Sequence, residues 1–408
     1  MNEKRVIAVF SGNRAEYGLQ FPILQAIKNH PLLEYRLIVS GAHLDNNFGS
    51  TISEIRKDGF DIYAEVKIEM SGDKKTSTAL AIASGISNLT PVLDKLKPDL
   101  FVVYADRFEG FAAVITSTQM NIPTAHIEGG DITEGGALDD SVRHAMSKLA
   151  HLHYTTNEQA ANRILAMGED PWRVHNVGFP AIDLIMHGSF ETPENLIKRL
   201  HLDPQRPLVL FTQHSVTTEF EDGASQLEPS LETLVKLADE GVQIIMTYPN
   251  NDAGGEKMSK GLQKISLLKN PNIQLHTSLG RFVYHGILAL AKKPEWRVAC
   301  VGNSSSGIKE TPVFGCPTVN IGSRQQGRLR GKNVIDADYN KEEIYSAIKK
   351  CLTDEDFRSV CAVTINPYGG GNSGELIAES LSTVDLDPKH ILRKGMNLEG
   401  KHENGWFR

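Results

Sequence analysis

The chain has 408 residues, 40% hydrophobic and 23% charged, with 43 basic against 50 acidic residues and a formal net charge of −7. That is the composition of a globular protein of roughly two to three domains, and it excludes collagen-like and wholesale disordered classes. No apolar run approaches the ~20 residues of a membrane helix, no basic block offers a nucleic-acid surface, and the four cysteines, Cys300, Cys316, Cys351 and Cys361, form no CxxC pair.

A predicted strand, Arg5–Phe10, starts almost at once, with no signal-peptide core before it, so a cytoplasmic location is expected. Further strands are predicted at Tyr35–Val39, Leu100–Tyr104, Thr124–Glu128 and His153–Thr155. Helices are predicted at Gly18–Lys28, Thr51–Asp58, Ala79–Leu96, Glu109–Met120, Ser141–Ala150 and Asn157–Met167. This alternation argues for a parallel sheet covered by helices on both faces. The pattern pauses near Val174–Pro180, and a polar stretch follows at His187–Glu194. It restarts with Leu208–Thr212, a helix over Leu227–Ala238, Gln243–Tyr248, Ile273–His276, a helix over Phe282–Ala291, Arg297–Val301 and Thr318–Ile321. Two similarly built α/β domains are therefore expected, residues 1–185 and 186–366, with a boundary near 183–200. The turn-rich Pro367–Gly374 leads into a helix, within 367–385, expected to pack back on the first domain. Residues 386–408 read as a polar tail that frays after about Lys389.

In doubly wound sheets ligands bind beyond the carboxyl ends of the strands. The first strand runs into Ser11-Gly12-Asn13-Arg14, a small-residue turn opening a helix, which suits an anion as well as an ordinary solvated turn. Asp106 and Glu128 end two strands joined by one helix, so they share a rim, with His126 just behind. Two carboxylates in differing surroundings divide into acid and base; the alternative is that Asp106 caps the helix near Glu109 or pairs with Arg107. Asp139 and Asp140 are candidate caps for a helix starting at Ser141. Arg143 then falls in the first turn, where a cation opposes the dipole and wants a carboxylate or a phosphate. His214 follows Leu208–Thr212 as a candidate proton carrier or phosphate contact, or a plain loop histidine.

The strongest phosphate signal is Gly302-Asn303-Ser304-Ser305-Ser306-Gly307-Ile308-Lys309-Glu310, which follows a strand and opens a helix; a serine N-cap is the plainer reading. The next strand ends in Gly322-Ser323-Arg324, and Glu310 lies where a ribose diol would donate to it. There is no GxGxxG and no Walker loop, so neither dinucleotide binding nor ATPase activity is implied.

SGNRAEYG, ADRFEGF, HIEGGD, DDSVRH, FTQHSVTTEF, GNSSSGIKE and GSRQQGRLRGKNVID occur in that order. Over roughly residues 5–385 the chain resembles the hydrolysing UDP-N-acetylglucosamine 2-epimerases of the sialic-acid route, and relatives acting on UDP- or GDP-linked diacetamido sugars for legionaminic acid. The resemblance implies a GT-B-type fold, two Rossmann-like doubly wound α/β domains with a nucleotide-sugar in the interdomain cleft. It implies conversion of UDP-N-acetylglucosamine and water to N-acetylmannosamine and UDP, by anti-elimination to 2-acetamidoglucal and then hydration. It implies no cofactor and no metal, and a homodimer or homotetramer. By motif, Asp106, Glu128, Asp139 and His214 fall on catalytic positions, with Asp139 or Asp140 open. Arg14, Arg107, Arg143, Ser304, Ser305, Glu310 and Arg324 fall on nucleotide-sugar positions. Ala105 departs from the pattern, since relatives usually carry Gly before the Asp. Rival readings are the same reaction on UDP- or GDP-N,N'-diacetylbacillosamine, a non-hydrolysing 2-epimerase, and a GT-B glycosyltransferase.

Overall fold

The computed structural model describes residues 4–44, 51–68, 76–132, 138–188, 190–216, 223–249 and 255–397. The chain divides into two compact units, Met1–Ile132 with Gly136–Leu184 and Tyr368–Arg408, and Thr133–Gly135 with Ile185–Pro367.

In the first unit the chain runs β1 (Arg5–Ser11), α1 (Arg14–Asn29), β2 (Leu33–Ser40), α2 (Ile52–Lys57), β3 (Ile62–Val66), α3 (Ser77–Leu96), β4 (Leu100–Tyr104), α4 (Phe108–Gln119), β5 (Thr124–Ile127), α5 (Leu138–Leu149), β6 (Leu152–Thr155), α6 (Glu158–Ala166), β7 (Val174–Asn176) and α7 (Ala181–Met186). The sheet order is β3-β2-β1-β4-β5-β6-β7 and every pairing is parallel. Both faces are buried, which explains why the central strands read as continuous apolar runs. Ile7, Val9, Leu100 and Val102 pack on one face, Ala8, Phe10, Phe101 and Val103 on the other.

The second unit contains α8 (Pro193–Leu200), β8 (Leu208–Thr212), α9 (Gly223–Asp239), β9 (Gln243–Thr247), α10 (Gly255–Leu267), β10 (Ile273–His276), α11 (Gly280–Ala289), β11 (Val298–Gly302), α12 (Ser306–Lys309), β12 (Thr318–Ile321), β13 (Val334–Ala337), α13 (Lys341–Thr353) and α14 (Glu355–Ala362). Its sheet, again all parallel, has the order β10-β9-β8-β11-β12-β13. In each unit the order reverses beside the first strand, between β1 and β4 and between β8 and β11. Those switch points are where such sheets bind ligands.

The chain then returns to the first unit as α15 (Ser373–Thr383) and α16 (Pro388–Ile391). The backbone of α15 lies so close to α1 that a Cβ on Gly374 would sit 2.6 Å from the Pro22 carbonyl oxygen. Asp183 accepts from the Ser373 and Gly374 amides at 3.0 and 2.7 Å, capping α15 from another element. The segment after Lys389, expected to fray, is instead tied down as far as Asn397. The Arg173 guanidinium, 1% exposed, donates to the carbonyls of His390, Ile391 and Arg393. Lys394 donates to the Lys148 carbonyl at 2.7 Å and pairs with buried Glu169 at 2.9 Å. Composition missed this because the residues holding the segment are themselves polar.

Sequence reasoning also passed over β3, β7 and β13. All three are sheet edges, short and interrupted by polar residues, so they carry no apolar run. The amphipathic helices α13 and α14 were passed over as well, although Asn340 and Asp354 cap them through side-chain bonds to the Glu343 and Phe357 amides. Among the described residues no helix is long and apolar enough to cross a membrane.

Candidate active site

Two adjacent strands of the first unit end in residues with left-handed backbone, Ala105 after β4 (φ 59°) and Glu128 after β5 (φ 65°). For a residue with a Cβ that conformation costs roughly 1–2 kcal/mol, and it persists only where neighbours hold it. The Ala105 amide donates to the Ile127 carbonyl and the Glu128 amide to the Tyr154 carbonyl, so each turn is fastened to the next strand. His126 fastens the first turn a second time. Its Nε2 donates to the Ala105 carbonyl at 2.6 Å, and its Nδ1 faces the Ser147 hydroxyl at 3.0 Å. Burial lowers the His126 pKa to about 4, so the ring is neutral and keeps one nitrogen as a donor and one as an acceptor. Ala105 thus occupies the left-handed geometry that a glycine would take more easily.

Asp106 does not cap α4, nor does it pair with Arg107. It forms an ion pair with Arg143. Arg143 lies in the second turn of α5, not the first, because the helix starts at Leu138. Its guanidinium is buried and also meets Asp140 at 3.1 Å and the Asp131 carbonyl at 2.9 Å. The partner that its position demanded is therefore carboxylate. Of the two neighbouring aspartates, Asp140 is buried against Arg143, while Asp139 is exposed on the same turn, and its charge acts on Arg107. Glu128 is 8% exposed and lies beside the Tyr104 hydroxyl. The burial of Tyr104 itself first, and the Glu128 charge next, drive the Tyr104 pKa well above its ordinary value.

Behind the β1–α1 turn sits a pair of buried carboxylates. Glu16 accepts from the Gly12 amide at 3.2 Å, and Glu109 pairs with Arg107 at 3.3 Å. Burial first, and the Glu109 charge next, push the Glu16 pKa up to about 8. With a folded-state pKa above its unfolded value, Glu16 leaves stability intact below pH ~4.5 and erodes it as pH rises toward 8. Glu16→Gln, which keeps an oxygen for Gly12, is therefore expected to raise stability at pH 8 by about 1–3 kcal/mol. The gain is expected to vanish by about pH 4, and denaturant unfolding at the two pH values measures it. An equal effect at both would show that the carboxyl does not titrate there. Arg14 opens α1, where Asn13 caps the helix by accepting from the Glu16 amide; the Arg14 side chain lies outside the described residues.

In the second unit β8 and β11 approach so closely that a Cβ on Gly302 would lie 1.9 Å from the Thr212 carbonyl oxygen. Only glycine fits there, and Gly302 also has φ 128°. The next residue, Asn303, locks the two strand ends reciprocally. Its Oδ1 accepts from the His214 amide at 2.7 Å and its Nδ2 donates to the His214 carbonyl at 2.9 Å. Arg324 reaches back from the end of β12 and donates to the Asn303 carbonyl at 3.2 Å. Burial, with Arg324 nearby, lowers the His214 pKa to about 4, so this imidazole is neutral. The helix expected after the serine run is a single turn, α12, and Ser305 at its start does not cap it with its side chain. Ser304 instead meets the Ser306 hydroxyl at 3.1 Å, Ser305 is exposed, and Glu310 accepts from His285 Nε2 at 2.9 Å.

The family model for UDP-N-acetylglucosamine 2-epimerase matches residues 25–382. The chain belongs to that family. A Campylobacter jejuni relative named GDP/UDP-N,N'-diacetylbacillosamine 2-epimerase (hydrolyzing) is 34% identical over 94% of this chain and 97% of its own. A Neisseria meningitidis relative named UDP-N-acetylglucosamine 2-epimerase is 32% identical over 86% of this chain and 88% of its own. The solved UDP-GlcNAc 2-epimerase of Methanocaldococcus jannaschii superposes with a TM-score of 0.72 at 17% identity, covering 93% of this chain and 100% of that one. The expected architecture, two Rossmann-like units of the GT-B kind, is the one observed.

In the epimerase Asp106, Glu128 and Arg143 lie in the first unit, and His214, Ser304, Glu310 and Arg324 in the second. Sequence reasoning missed Asp140 as the buried partner, Asn303 as the strand-end lock, the Glu16–Glu109 pair, and His285. A signal existed for Asn303, which directly follows a strand and a glycine. None existed for His285, which sits mid-helix with its target 25 residues away.

Proposed function

We propose that this enzyme is a hydrolysing 2-epimerase of a UDP-linked 2-acetamido sugar, converting UDP-N-acetylglucosamine and water to N-acetylmannosamine and UDP. The observation that supports it most is the pairing of Asp106 and Glu128 on adjacent strand ends, each in a strained turn held from behind. In this reading one carboxylate takes the proton from carbon 2 while the bond from carbon 1 to the UDP oxygen breaks, leaving the carbon 1–carbon 2 double bond of 2-acetamidoglucal. Water then adds its hydroxyl to carbon 1, and a proton returns to carbon 2 from the opposite face, so the acetamido group ends inverted. Because the carbon 2 proton is weakly acidic, removal of the proton and stabilisation of the leaving diphosphate must act together. Asp139 is the third carboxylate of this chemistry, and Arg143 with Asp140 holds Asp106. Ser304 and Ser305 receive the diphosphate with neutral His214 near it, Glu310 receives the ribose, and Arg14, Arg107 and Arg324 are further nucleotide-binding residues. We further take the enzyme to be cytoplasmic and a homodimer or homotetramer.

Incubation with UDP-N-acetylglucosamine alone tests the reading: free N-acetylmannosamine and UDP in equal amounts are expected. Intact UDP-N-acetylmannosamine without free UDP would make it non-hydrolysing, and no turnover without an acceptor would favour a glycosyltransferase. A second reading has its own support, since relatives at 34% and 31% identity carry N,N'-diacetylbacillosamine in their names. The same assay with UDP- and GDP-N,N'-diacetylbacillosamine decides it by the higher kcat/KM.

A further inference from the structure

Two consecutive residues of α11 meet two residues one helical turn apart, Ser306 at the start of α12 and Glu310 at its C-terminal end. Tyr284 bonds the Ser306 hydroxyl at 2.7 Å, and Ser306 in turn meets the Ser304 hydroxyl at 3.1 Å. His285 bonds Glu310 Oε2 at 2.9 Å. Neither α11 side chain has freedom to choose another partner. His285 is 5% exposed and wedged between Phe190, edge-on at 5.8 Å, and Phe314 at 5.7 Å. The Tyr284 hydroxyl is further fixed by the Cys300 sulfur at 3.8 Å.

We infer that α11 is the backing of the nucleotide site: His285 sets the Glu310 carboxylate for the ribose diol, and Tyr284, through Ser306, sets the Ser304 hydroxyl for the diphosphate. Both are positioning residues, and the inference rests on the nucleotide reading of that loop. A glutamate with three rotatable bonds accepts from a diol only after it has been ordered. Holding Oε2 from behind supplies that order in advance and leaves Oε1 for a ribose hydroxyl. Pre-ordering one such side chain is worth roughly two- to tenfold in affinity. The hydroxyl relay acts in the same way on Ser304, whose proton and lone pairs Ser306 directs.

Titration calorimetry of the full chain with UDP, 2′-deoxy-UDP and uridine tests this, with thermal melting to check that each variant is folded. In His285→Phe the preference for UDP over 2′-deoxy-UDP is expected to shrink by roughly fivefold, and His285→Gln, which keeps an N–H donor, is expected to restore part of it. In Tyr284→Phe the preference for UDP over uridine is expected to shrink while the ribose preference stays. A merely structural role would weaken all three ligands alike, and unchanged preferences in folded variants would overturn the inference while leaving the epimerase reading intact. If His285→Phe does not fold, His285→Gln carries the ribose comparison. Failure of the unaltered enzyme to bind UDP at all would overturn both.

Discussion

Asp106→Asn and Glu128→Gln are each expected to lower turnover by roughly a thousandfold, the scale of a lost general acid or base, while UDP affinity stays within about twofold. The substitutions are close to isosteric, so shape is kept while the charge and the proton-carrying capacity are removed. The fold tolerates the first because Arg143 retains Asp140 and the Asp131 carbonyl as partners when Asp106 loses its charge. It tolerates the second because Glu128's turn is fastened through its backbone amide, which the change leaves alone. UDP affinity is unmoved because the residues proposed to bind the nucleotide are, apart from Arg14 and Arg107, those of the second unit. Single-turnover assays alongside calorimetry measure both quantities. A rate within tenfold of the parent in either variant would remove that residue from the acid–base pair.

Arg143→Met is expected to cost about 3–5 kcal/mol of folding stability, the scale of breaking a buried ion pair from one side, and to abolish turnover as well. One guanidinium satisfies three acceptors on three different segments: Asp106 after β4, the Asp131 carbonyl after β5, and Asp140 on its own helix. Methionine fills much of the volume but leaves two carboxylates facing each other without a cation. Lysine is no remedy, since a single ammonium lacks the planar fork that reaches separate oxygens. Denaturant unfolding gives the loss directly. The double variant Arg143→Met with Asp140→Asn is expected to recover part of it, because the repulsion between the two carboxylates is then removed and only one uncompensated charge remains. A loss below about 1 kcal/mol would mean the carboxylates are solvated well enough to do without the arginine.

What could be read from the sequence was whatever repeats along the chain. The central strands announced themselves because burial on both faces makes them continuously apolar, and their ends could then be searched for chemistry. In this way Asp106, Glu128, His214 and the serine loop were found. The edge strands β3, β7 and β13 broke that rule. The site's wiring was not legible for a different reason. Arg143 and Asp106 are 37 residues apart and Asn303 and His214 are 89 apart, so no local period links them. The helix predicted from Ser141 starts one turn earlier, at Leu138, which puts Arg143 in the second turn, and its partner there is carboxylate. The polar C-terminal segment reads as solvated in sequence, yet Glu169 and backbone carbonyls satisfy its charges internally.

The return of the chain to its first unit has a consequence for synthesis. The N-terminal sheet leaves the ribosome first, but Arg173, Asp183 and the C-terminal end of α5 find their partners only in α15, α16 and Lys394. Everything from Ile185 to Pro367 must be translated before those partners exist. At ~5–20 residues per second that is a wait of roughly 10–40 s. By its end the second unit, continuous in sequence apart from a three-residue piece, has all its strands. The half of the enzyme that is made first is completed last, with an open flank along α1 where a chaperone would have its opportunity to bind.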